Sequence, residues 1–256
     1  MHDRPRPGDW RWLRELPHQR PLVRLRPHQR GVPVVSRVVL KCGGAVAHES
    51  ADLILQLADA GHDVCVVHGA GAQISEEMER FGIPVEFVGG RRVTTEAGLT
   101  VVRSSFAAVN RALCTAIGPR AAGLFGDEIG LHAVQIPALG LVGDPLPSRP
   151  HAVVATLAAG RIPVVAPLGV GPLNVNADDA AAALAVGLEA DRLLFVTDVA
   201  GVFHDGSMLA SIGAGEADRL LGDGTFAGGI VPKLRAAVIA ARNGVHTEIG
   251  ETAVVA

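Results

Sequence analysis

Two successive units of strand, glycine turn and helix constrain the fold of this chain more than any other feature. Residues 34–41 and 63–68 are apolar, largely β-branched runs, which are typical of strands buried on both faces of a parallel sheet. Each run ends in a turn that contains two glycines, and helices are predicted over about 48–60 and 72–81. This order of elements indicates an open parallel α/β sheet.

The rest of the chain continues the alternation of helices and strands. Apolar side chains spaced by three and four from Leu99 to Ile117 predict a long helix over 94–117. Short strands are expected within 120–125 and 131–143. Later elements are predicted in this order: a helix at 149–159, a strand at 162–166, a helix from 177 to about 189, a strand at 193–196, a helix at 230–242 and strands near 245–249 and 252–255.

Composition limits the classes of protein that this chain can belong to. With 256 residues, 48% hydrophobic and 19% charged, it can bury the core of one large α/β domain or two small ones. No apolar run approaches the length of a membrane span, and we expect no secretory signal. The three cysteines favour a reducing cytoplasm, and the 4% of aromatic residues offer few stacking surfaces for nucleic acid.

The first residues differ in charge from the rest. Residues 1–37 carry nine arginines and three acidic residues, and 1–33 contain six prolines. A basic segment can bind nucleic acid or a membrane surface, but a solvated tail is the simpler interpretation. We therefore expect 1–33 to be a flexible basic extension of a domain at 34–256, with no nucleic-acid or membrane partner.

Lysine is rare in this chain. Only two of its 23 Lys and Arg residues are lysines, Lys41 and Lys233. Lys41 ends the first strand, and Lys233 lies at the start of a predicted helix. A compact ammonium group can insert between phosphoryl oxygens, whereas a planar guanidinium prefers flat partners. The two lysines are either chance survivors of a bias toward arginine or two point charges directed at a phosphoryl group.

The glycine turns add a second indication of phosphate chemistry. A turn between a buried strand and a helix exposes backbone amides, which attract phosphate, although glycine also serves simple tight turns. The chain has no G-x-x-x-x-G-K-[ST] motif, so a P-loop is excluded. The residue that would carry the last glycine of G-x-G-x-x-G is Ile74, which argues against a Rossmann dinucleotide site.

Seven short motifs follow one another along the chain. They are Lys41-Cys42-Gly43-Gly44, His68-Gly69-Ala70-Gly71, Gly90-Arg91-Arg92-Val93-Thr94, Gly123-Leu124-Phe125-Gly126-Asp127, Asn174-Val175-Asn176-Ala177-Asp178, Thr197-Asp198-Val199-Ala200-Gly201-Val202 and Gly228-Gly229-Ile230-Val231-Pro232-Lys233. In this order they resemble the motifs of the N-acetylglutamate kinases, within the amino acid kinase family. The resemblance implies the amino acid kinase fold, a three-layer αβα sandwich with a central, mostly parallel sheet. It further implies a substrate lobe at 34–170 and a nucleotide lobe at 171–256.

The resemblance implies that the chain transfers a phosphoryl group from ATP to the side-chain carboxylate of N-acetyl-L-glutamate, a step of arginine biosynthesis. A carboxylate is already ionised at pH 7, so no general base is needed. Mg²⁺ would be held largely by ATP phosphates and water. No tightly bound cofactor and no protein metal site are expected.

The resemblance also implies roles for individual residues. Lys41 and Lys233 would stabilise the transition state, and Asp178 would hold both ammonium groups, although a carboxylate at a helix N-terminus also suits the helix dipole. The substrate would be bound by Ala70, Gly71, Arg92 and Asn174. Phosphate or nucleotide contacts would come from Gly43, Gly44, Asp198, Val199, Ala200, Gly201, Val202, Phe203, Thr225, Phe226 and Ala227. Arg91 is interpreted as a solvated neighbour, His68 as an anchor of its turn, and Cys42 as a small buried residue.

Two departures from the family and two alternatives accompany this interpretation. Ala70 replaces a glycine of the family motif, which bears on the width of the substrate site. Residues 246–255 leave room for a hairpin but no helix, and the prolines of 1–33 leave no room for a long helix. We therefore expect a homodimer, paired through the 94–117 helix, that arginine does not regulate. A kinase of carrier-linked aminoadipate or glutamate is one alternative. A non-catalytic sensor that binds nucleotide or arginine is the other.

Overall fold

The two predicted strand–turn–helix units form the centre of a large sheet. The computed structural model describes residues 36–43, 50–197 and 200–256. Strand β1 (Arg37–Cys42) pairs in parallel with β2 (Asp63–His68), and Lys41 lies opposite Val67. The side chains of both strands are buried almost throughout, as expected for a sheet that is covered on both faces.

The described helices and strands follow the predicted alternation. After β1 and β2, the strands are β3 (Phe87–Val88), β4 (Arg91–Arg92), β5 (Ala121–Phe125), β6 (Ala133–Gln135), β7 (Val142–Pro145), β8 (Ile162–Ala166), β9 (Leu168–Gly169), β10 (Leu173–Val175), β11 (Arg192–Val196), β12 (Phe203–His204), β13 (Ser207–Met208), β14 (Ser211–Gly213), β15 (His246–Ile249) and β16 (Thr252–Val255). The helices are α1 (Ser50–Asp59), α2 (Gly71–Arg80), α3 (Glu96–Ile117), α4 (Gly126–Ile129), α5 (His151–Ala158), α6 (Ala177–Gly187), α7 (Ala214–Gly222) and α8 (Ile230–Arg242).

The main sheet has the strand order β14-β16-β15-β11-β1-β2-β8-β5. Neighbouring strands from β15 through β5 run parallel, and β16 is antiparallel to β15. Successive side chains of a strand point to opposite faces, so Val38 and Leu40 enter one hydrophobic core and Val39 enters the other. Helices α1, α2 and α3 cover the first face, and α5 to α8 cover the second, which gives the predicted three-layer αβα sandwich.

A short hairpin and a small sheet lie beside the main sheet. Strands β3 and β4 are antiparallel and are joined by Gly89 and Gly90, both of which have positive φ. That combination is the two-residue turn that glycine favours, because it matches the twist of the flanking strands. Strands β6, β7, β10 and β9 form a separate four-stranded sheet.

Most predicted elements are confirmed, and some were not foreseen. The long helix begins at Glu96 because Thr95 caps it, its side chain accepting a hydrogen bond from the Gly98 amide. The terminal strands form the expected hairpin of β15 and β16. Helix α7 and strands β12 to β14 were not predicted. The predicted extension at 1–33 lies outside the described residues, and no described helix has the length and apolar character to cross a membrane.

Candidate active site

A cavity of about 200 Å³ opens where strands β1 and β2 end. Ligands of open parallel sheets bind at this carboxyl edge. Predicted site residues that line it are Lys41, Gly43, Ala70, Gly71, Arg92, Asn174 and Asp178. Its lining also includes Gly69, Ile74, Phe87, Gly90, Arg91, Phe106, Val142, Val175, Asn176 and Ala177. Thus all four residues predicted to bind the substrate meet the predicted catalytic residues Lys41 and Asp178.

Three charged side chains meet beside this cavity: Lys41 and Asp178 line it, whereas Lys233 does not. Lys41 Nζ lies 2.7 Å from Asp178 Oδ1, and both side chains are at least 93% buried, with exposed fractions of 7% and 6%. Lys233 Nζ lies 4.0 Å from Asp178 Oδ2 and donates a hydrogen bond to the Gly229 carbonyl at 3.3 Å. Asp178 therefore lies between the two ammonium groups, in the arrangement that the sequence predicted.

Local structure explains why these side chains meet. Lys41 follows Val39 on the strand face that packs against α6, so its side chain emerges beside the first turn of that helix. Asn176 caps α6, and its Oδ1 accepts hydrogen bonds from the amides of Asp178 and Asp179. Lys233 lies in the first turn of α8, after Pro232, a position where proline is tolerated.

Arg92 joins the hairpin to helix α2. Its Nη2 donates hydrogen bonds to the Gly71 carbonyl at 2.9 Å and to Ser75 Oγ at 2.8 Å. Its guanidinium also lies 4.6 Å from the centre of the Phe87 ring, a cation–π contact. Burial lowers the pKa of Arg92, but an arginine stays charged in any ordinary environment. The structure therefore presents a fixed positive charge beside the cavity.

Asn174 is linked to Arg92 through one threonine. Asn174 Nδ2 donates to Thr94 Oγ1 at 3.0 Å, and Thr94 Oγ1 donates to the Arg92 carbonyl at 2.8 Å. Thr94 is fully buried. The sequence presents Thr94 only as part of a motif, yet its hydroxyl joins the side chain of Asn174 to the main chain of Arg92.

The interpretation of Arg91 as a solvated neighbour was wrong. Its side chain is only 28% exposed, and its guanidinium bonds to the carboxylates of Asp179 and Asp144. The error arose because the sequence does not show that the first turn of α6 faces the hairpin.

His68 and Cys42 are both buried beneath the cavity-lining turns, which is consistent with the structural roles expected for them. The His68 ring is fully buried, lies edge-on to the Phe106 ring at 5.9 Å, and has its Nε2 3.1 Å from Asn110 Nδ2. Burial lowers the pKa of His68 to about 4, so the ring is neutral at pH 7. Cys42 is also fully buried, and burial raises the pKa of its thiol to about 11.

The predicted nucleotide residues are only partly described. Gly44, Asp198 and Val199 lie outside the described residues. Val202 is buried, and its amide donates to Thr252 Oγ1 at 2.8 Å. The His204 and Phe226 rings are 6.3 Å apart, which brings the stretches at 200–204 and 225–227 together. Ala200, Gly201, Phe203, Thr225 and Ala227 belong to these stretches and do not line the 200 Å³ cavity.

A protein-based metal centre finds no support in the described part of the chain. Over 36–43, 50–197 and 200–256, no three His, Cys, Asp or Glu side chains are grouped so that they could hold an ion. The charged side chains that line the cavity are instead three cationic groups and one carboxylate: Lys41, Arg91, Arg92 and Asp178. Such a set suits an anionic substrate.

A family profile gives the decisive comparison. The profile of the "Amino acid kinase family" matches residues 36–250, which include every residue of the cavity lining. This chain belongs to the amino acid kinase family.

Similar sequences and a similar solved structure accompany this assignment. The chain is 42% identical over 221 residues to "Acetylglutamate kinase" of Rubrobacter xylanophilus, a match that covers 83% of this chain and 87% of that protein. It is 43% identical over 242 residues to "Acetylglutamate kinase" of Kineococcus radiotolerans, covering 81% and 80%. The crystal structure of smu.665 from Streptococcus mutans UA159 superposes with a TM-score of 0.76 at 28% identity, covering 86% of this chain and 98% of that one.

The buried His68 predicts a pH dependence of stability. Its pKa is lowered in the folded state, so between pH 6.5 and about 4 the unfolded chain binds more protons, and stability falls as the pH falls. The variant His68→Gln keeps an acceptor for Asn110 but cannot ionise. From pH 7 to pH 5, we expect the unfolding free energy of the wild type to fall by about 2 kcal/mol more than that of the variant.

Urea denaturation at the two pH values measures this difference. Every other titrating group is common to the two proteins, so the comparison isolates position 68. Parallel pH profiles would show that His68 does not ionise differently in the folded and unfolded chains.

Proposed function

We propose that this chain is an acetylglutamate kinase, which transfers the γ-phosphoryl group of ATP to the side-chain carboxylate of N-acetyl-L-glutamate. The observation that carries the proposal is the pair of ammonium groups around one buried carboxylate, Lys41 and Lys233 around Asp178, in a family of kinases. The identity to proteins of that name supports the choice of substrate.

In this reaction, a carboxylate oxygen of the substrate forms a bond to the γ-phosphorus as the bond to the ADP oxygen breaks. No proton moves, because the nucleophile is ionised at neutral pH. The protein has to align the two reactants and compensate charge on the phosphoryl oxygens. Lys41 and Lys233 supply that charge, and Asp178 is a positioning residue that holds both ammonium groups from one side.

We assign phosphate binding to the glycine turns that follow β1 and β2. The turns after β1 and β2 lie side by side, since the Gly69 amide donates to the Cys42 carbonyl at 2.9 Å. Gly43 and Gly71 line the cavity, and amides at such turns favour phosphoryl oxygens. The nucleotide would extend from there toward the stretches 198–203 and 225–227, with Gly44 contributing a further amide. Mg²⁺ would arrive with the ATP phosphates and remain mostly coordinated by them and by water.

The remaining cavity suits N-acetyl-L-glutamate. Arg92 would bind its free carboxylate and Asn174 would act beside it, with Ala70 and Gly71 forming the wall next to Arg92. Arg92 is buried, so an anion beside it interacts more strongly than one in water. In this assignment the substrate lobe is 34–170 and the nucleotide lobe is 171–256.

We also propose a cytoplasmic homodimer paired through α3. All three cysteines are free, and two of them are fully buried, which is consistent with a reducing compartment. The inner face of α3 packs in the core, and its exposed face carries small side chains that permit close helix approach: Thr100, Ser104, Ala108 and Ala112.

The two lysines provide the first test of this function. Lys41→Arg and Lys233→Arg keep the charge but replace a compact ammonium with a bulkier guanidinium. Each should lower kcat at least about 100-fold, the effect of losing one preorganised charge contact. Hydroxylamine traps an acyl phosphate as a hydroxamate, which measures product formation directly. Arg219→Lys, at an exposed position on α7, serves as the control and should keep wild-type kcat. Near-normal turnover in either lysine variant would contradict the catalytic assignment.

Arg92 provides a test of substrate binding. Arg92→Lys keeps the charge but loses the planar guanidinium, whose Nη2 bonds the Gly71 carbonyl and Ser75 Oγ and which lies over the Phe87 ring, so the charge is no longer fixed beside the cavity. We expect the KM for N-acetyl-L-glutamate to rise at least about tenfold, or about 1.4 kcal/mol, with the KM for ATP little changed. Arg80→Lys, on the exposed side of α2, is the matched control. If only the KM for ATP rose, Arg92 would bind ATP, and its assignment to N-acetyl-L-glutamate would be wrong.

Light scattering tests the dimer. The wild type should have twice the mass of the chain, and Ala108→Glu should reduce it to the monomer, because a carboxylate cannot be buried unpaired against a second helix. Arg219→Glu, on α7, should remain dimeric. A monomeric wild type, or a dimer that tolerates Ala108→Glu, would refute pairing through α3.

A further inference from the structure

The β3–β4 hairpin separates two cavities. Phe87 and Arg92 are opposite each other in the ladder, so their side chains share one face, and both line the 200 Å³ cavity. Val88 and Arg91 share the other face, and both line a second cavity of about 430 Å³. Arg91 borders both cavities and is therefore part of the wall between them.

Arg91 attaches this wall to the rest of the molecule. Its Nε and Nη2 donate to Asp179 Oδ2 at 3.2 and 2.9 Å, and Nη2 also donates to Asp144 Oδ1 at 2.5 Å. Asp179 lies in the first turn of α6, and Asp144 lies on β7. One guanidinium thus connects the hairpin to two elements that are distant in sequence.

The contact to Asp179 differs from an ordinary surface ion pair. Exposed pairs contribute little, because water screens both charges. Here the side chain of Asp179 is only 14% exposed. Burial and the neighbouring carboxylates of Asp144 and Asp178 raise the pKa of Asp179, and Arg91 opposes that rise. A buried carboxylate requires a cation, and Arg91 is the one bonded to Asp179.

Two further contacts bring the tip of the hairpin onto the catalytic helices. Asn176, the cap of α6, donates from Nδ2 to the Gly90 carbonyl at 3.4 Å. A side chain added at Gly90 would lie 3.6 Å from the ring of Pro232, the residue before Lys233. The hairpin therefore rests on the helix ends that carry Asp178 and Lys233, while its other face holds Arg92.

We propose that Arg91 is a positioning residue of the kinase reaction. By bonding Asp179 and Asp144, it holds the hairpin closed over the substrate cavity, so that Arg92 is fixed at its wall. It also neutralises Asp179, so that Lys41 and Lys233 stay directed at Asp178. This inference rests on the proposed function and adds a residue that determines how tightly N-acetyl-L-glutamate is held.

The proposal can be tested by measuring the kinetics of variants at Arg91 and at Asp179, the two ends of the contact. Arg91→Leu should raise the KM for N-acetyl-L-glutamate at least about tenfold and change the KM for ATP less than about threefold. Asp179→Asn, which removes the charge and keeps the shape, should act in the same direction. The double variant should be no worse than the more affected single variant, because both changes remove one shared contact. Arg91→Lys should recover part of the loss, since it restores the charge without the fork.

Arg103→Leu is the matched control. Arg103, on α3, also bonds two acidic side chains, Asp127 and Glu128, but it does not border either cavity. It should keep both KM values. Thermal unfolding of each variant establishes that it is folded before kinetics are compared.

Hydrogen exchange gives a readout that needs no catalysis. In the substrate-free protein, Arg91→Leu and Asp179→Asn should accelerate amide exchange over 86–93, and Arg103→Leu should not. Unchanged exchange there, or unchanged KM values in an active Arg91→Leu, would overturn the positioning role and leave the proposed function intact. If the wild-type protein formed no hydroxamate from N-acetyl-L-glutamate and ATP in the presence of hydroxylamine, the proposed function itself would be overturned, whatever the result of the hydrogen-exchange experiment.

Discussion

Lys41 and Asp178 hold opposite charges in a part of the molecule that water scarcely reaches, and neither could be buried there without the other. The ion pair is 2.7 Å long and fixes the end of β1 against the start of α6. Lys233 can approach Asp178 only because α8 packs on α6 within the same hydrophobic core. The turns that line the cavity then follow from the parallel pairing of β1 with β2. The geometry of the candidate active site therefore depends on burying the charges of Lys41 and Asp178 as a pair.

The sequence predicts well those features that depend on local patterns. Alternating faces and β-branched runs predict β1 and β2, and apolar intervals of three and four predict α3. The rarity of lysine singles out Lys41 and Lys233, and the family motif adds Asp178. The structure brings these three together, as predicted. Helix α7 was missed because its apolar stripe is short and two of its nine residues are glycines, which favour helix weakly.

The role of Arg91 could not be predicted, because it depends on contacts between distant parts of the chain. Residues 91 and 179 are 88 positions apart, and only the packing of the hairpin on α6 brings them together. Thr94 was overlooked for a related reason, since its hydroxyl matters only once Asn174 lies beside it. Local preference determines which elements form, whereas the pairing of polar side chains across elements is a property of the assembled fold.

The hairpin of β3 and β4 has a consequence for how this surface can vary. Surface turns usually accept changes of length, but here the two-residue turn sets which of two adjacent arginines shares the strand face of Phe87, toward the 200 Å³ cavity, and which shares the face of Val88. One neutral residue inserted into or deleted from the turn would exchange the faces of Arg91 and Arg92 without changing the net charge. The tip is restricted as well, because Gly89 and Gly90 both have positive φ, which glycine adopts most readily. The number of residues between Phe87 and Arg92 is therefore fixed by the alternation of side chains along the strands, and the identity of the turn residues by the backbone.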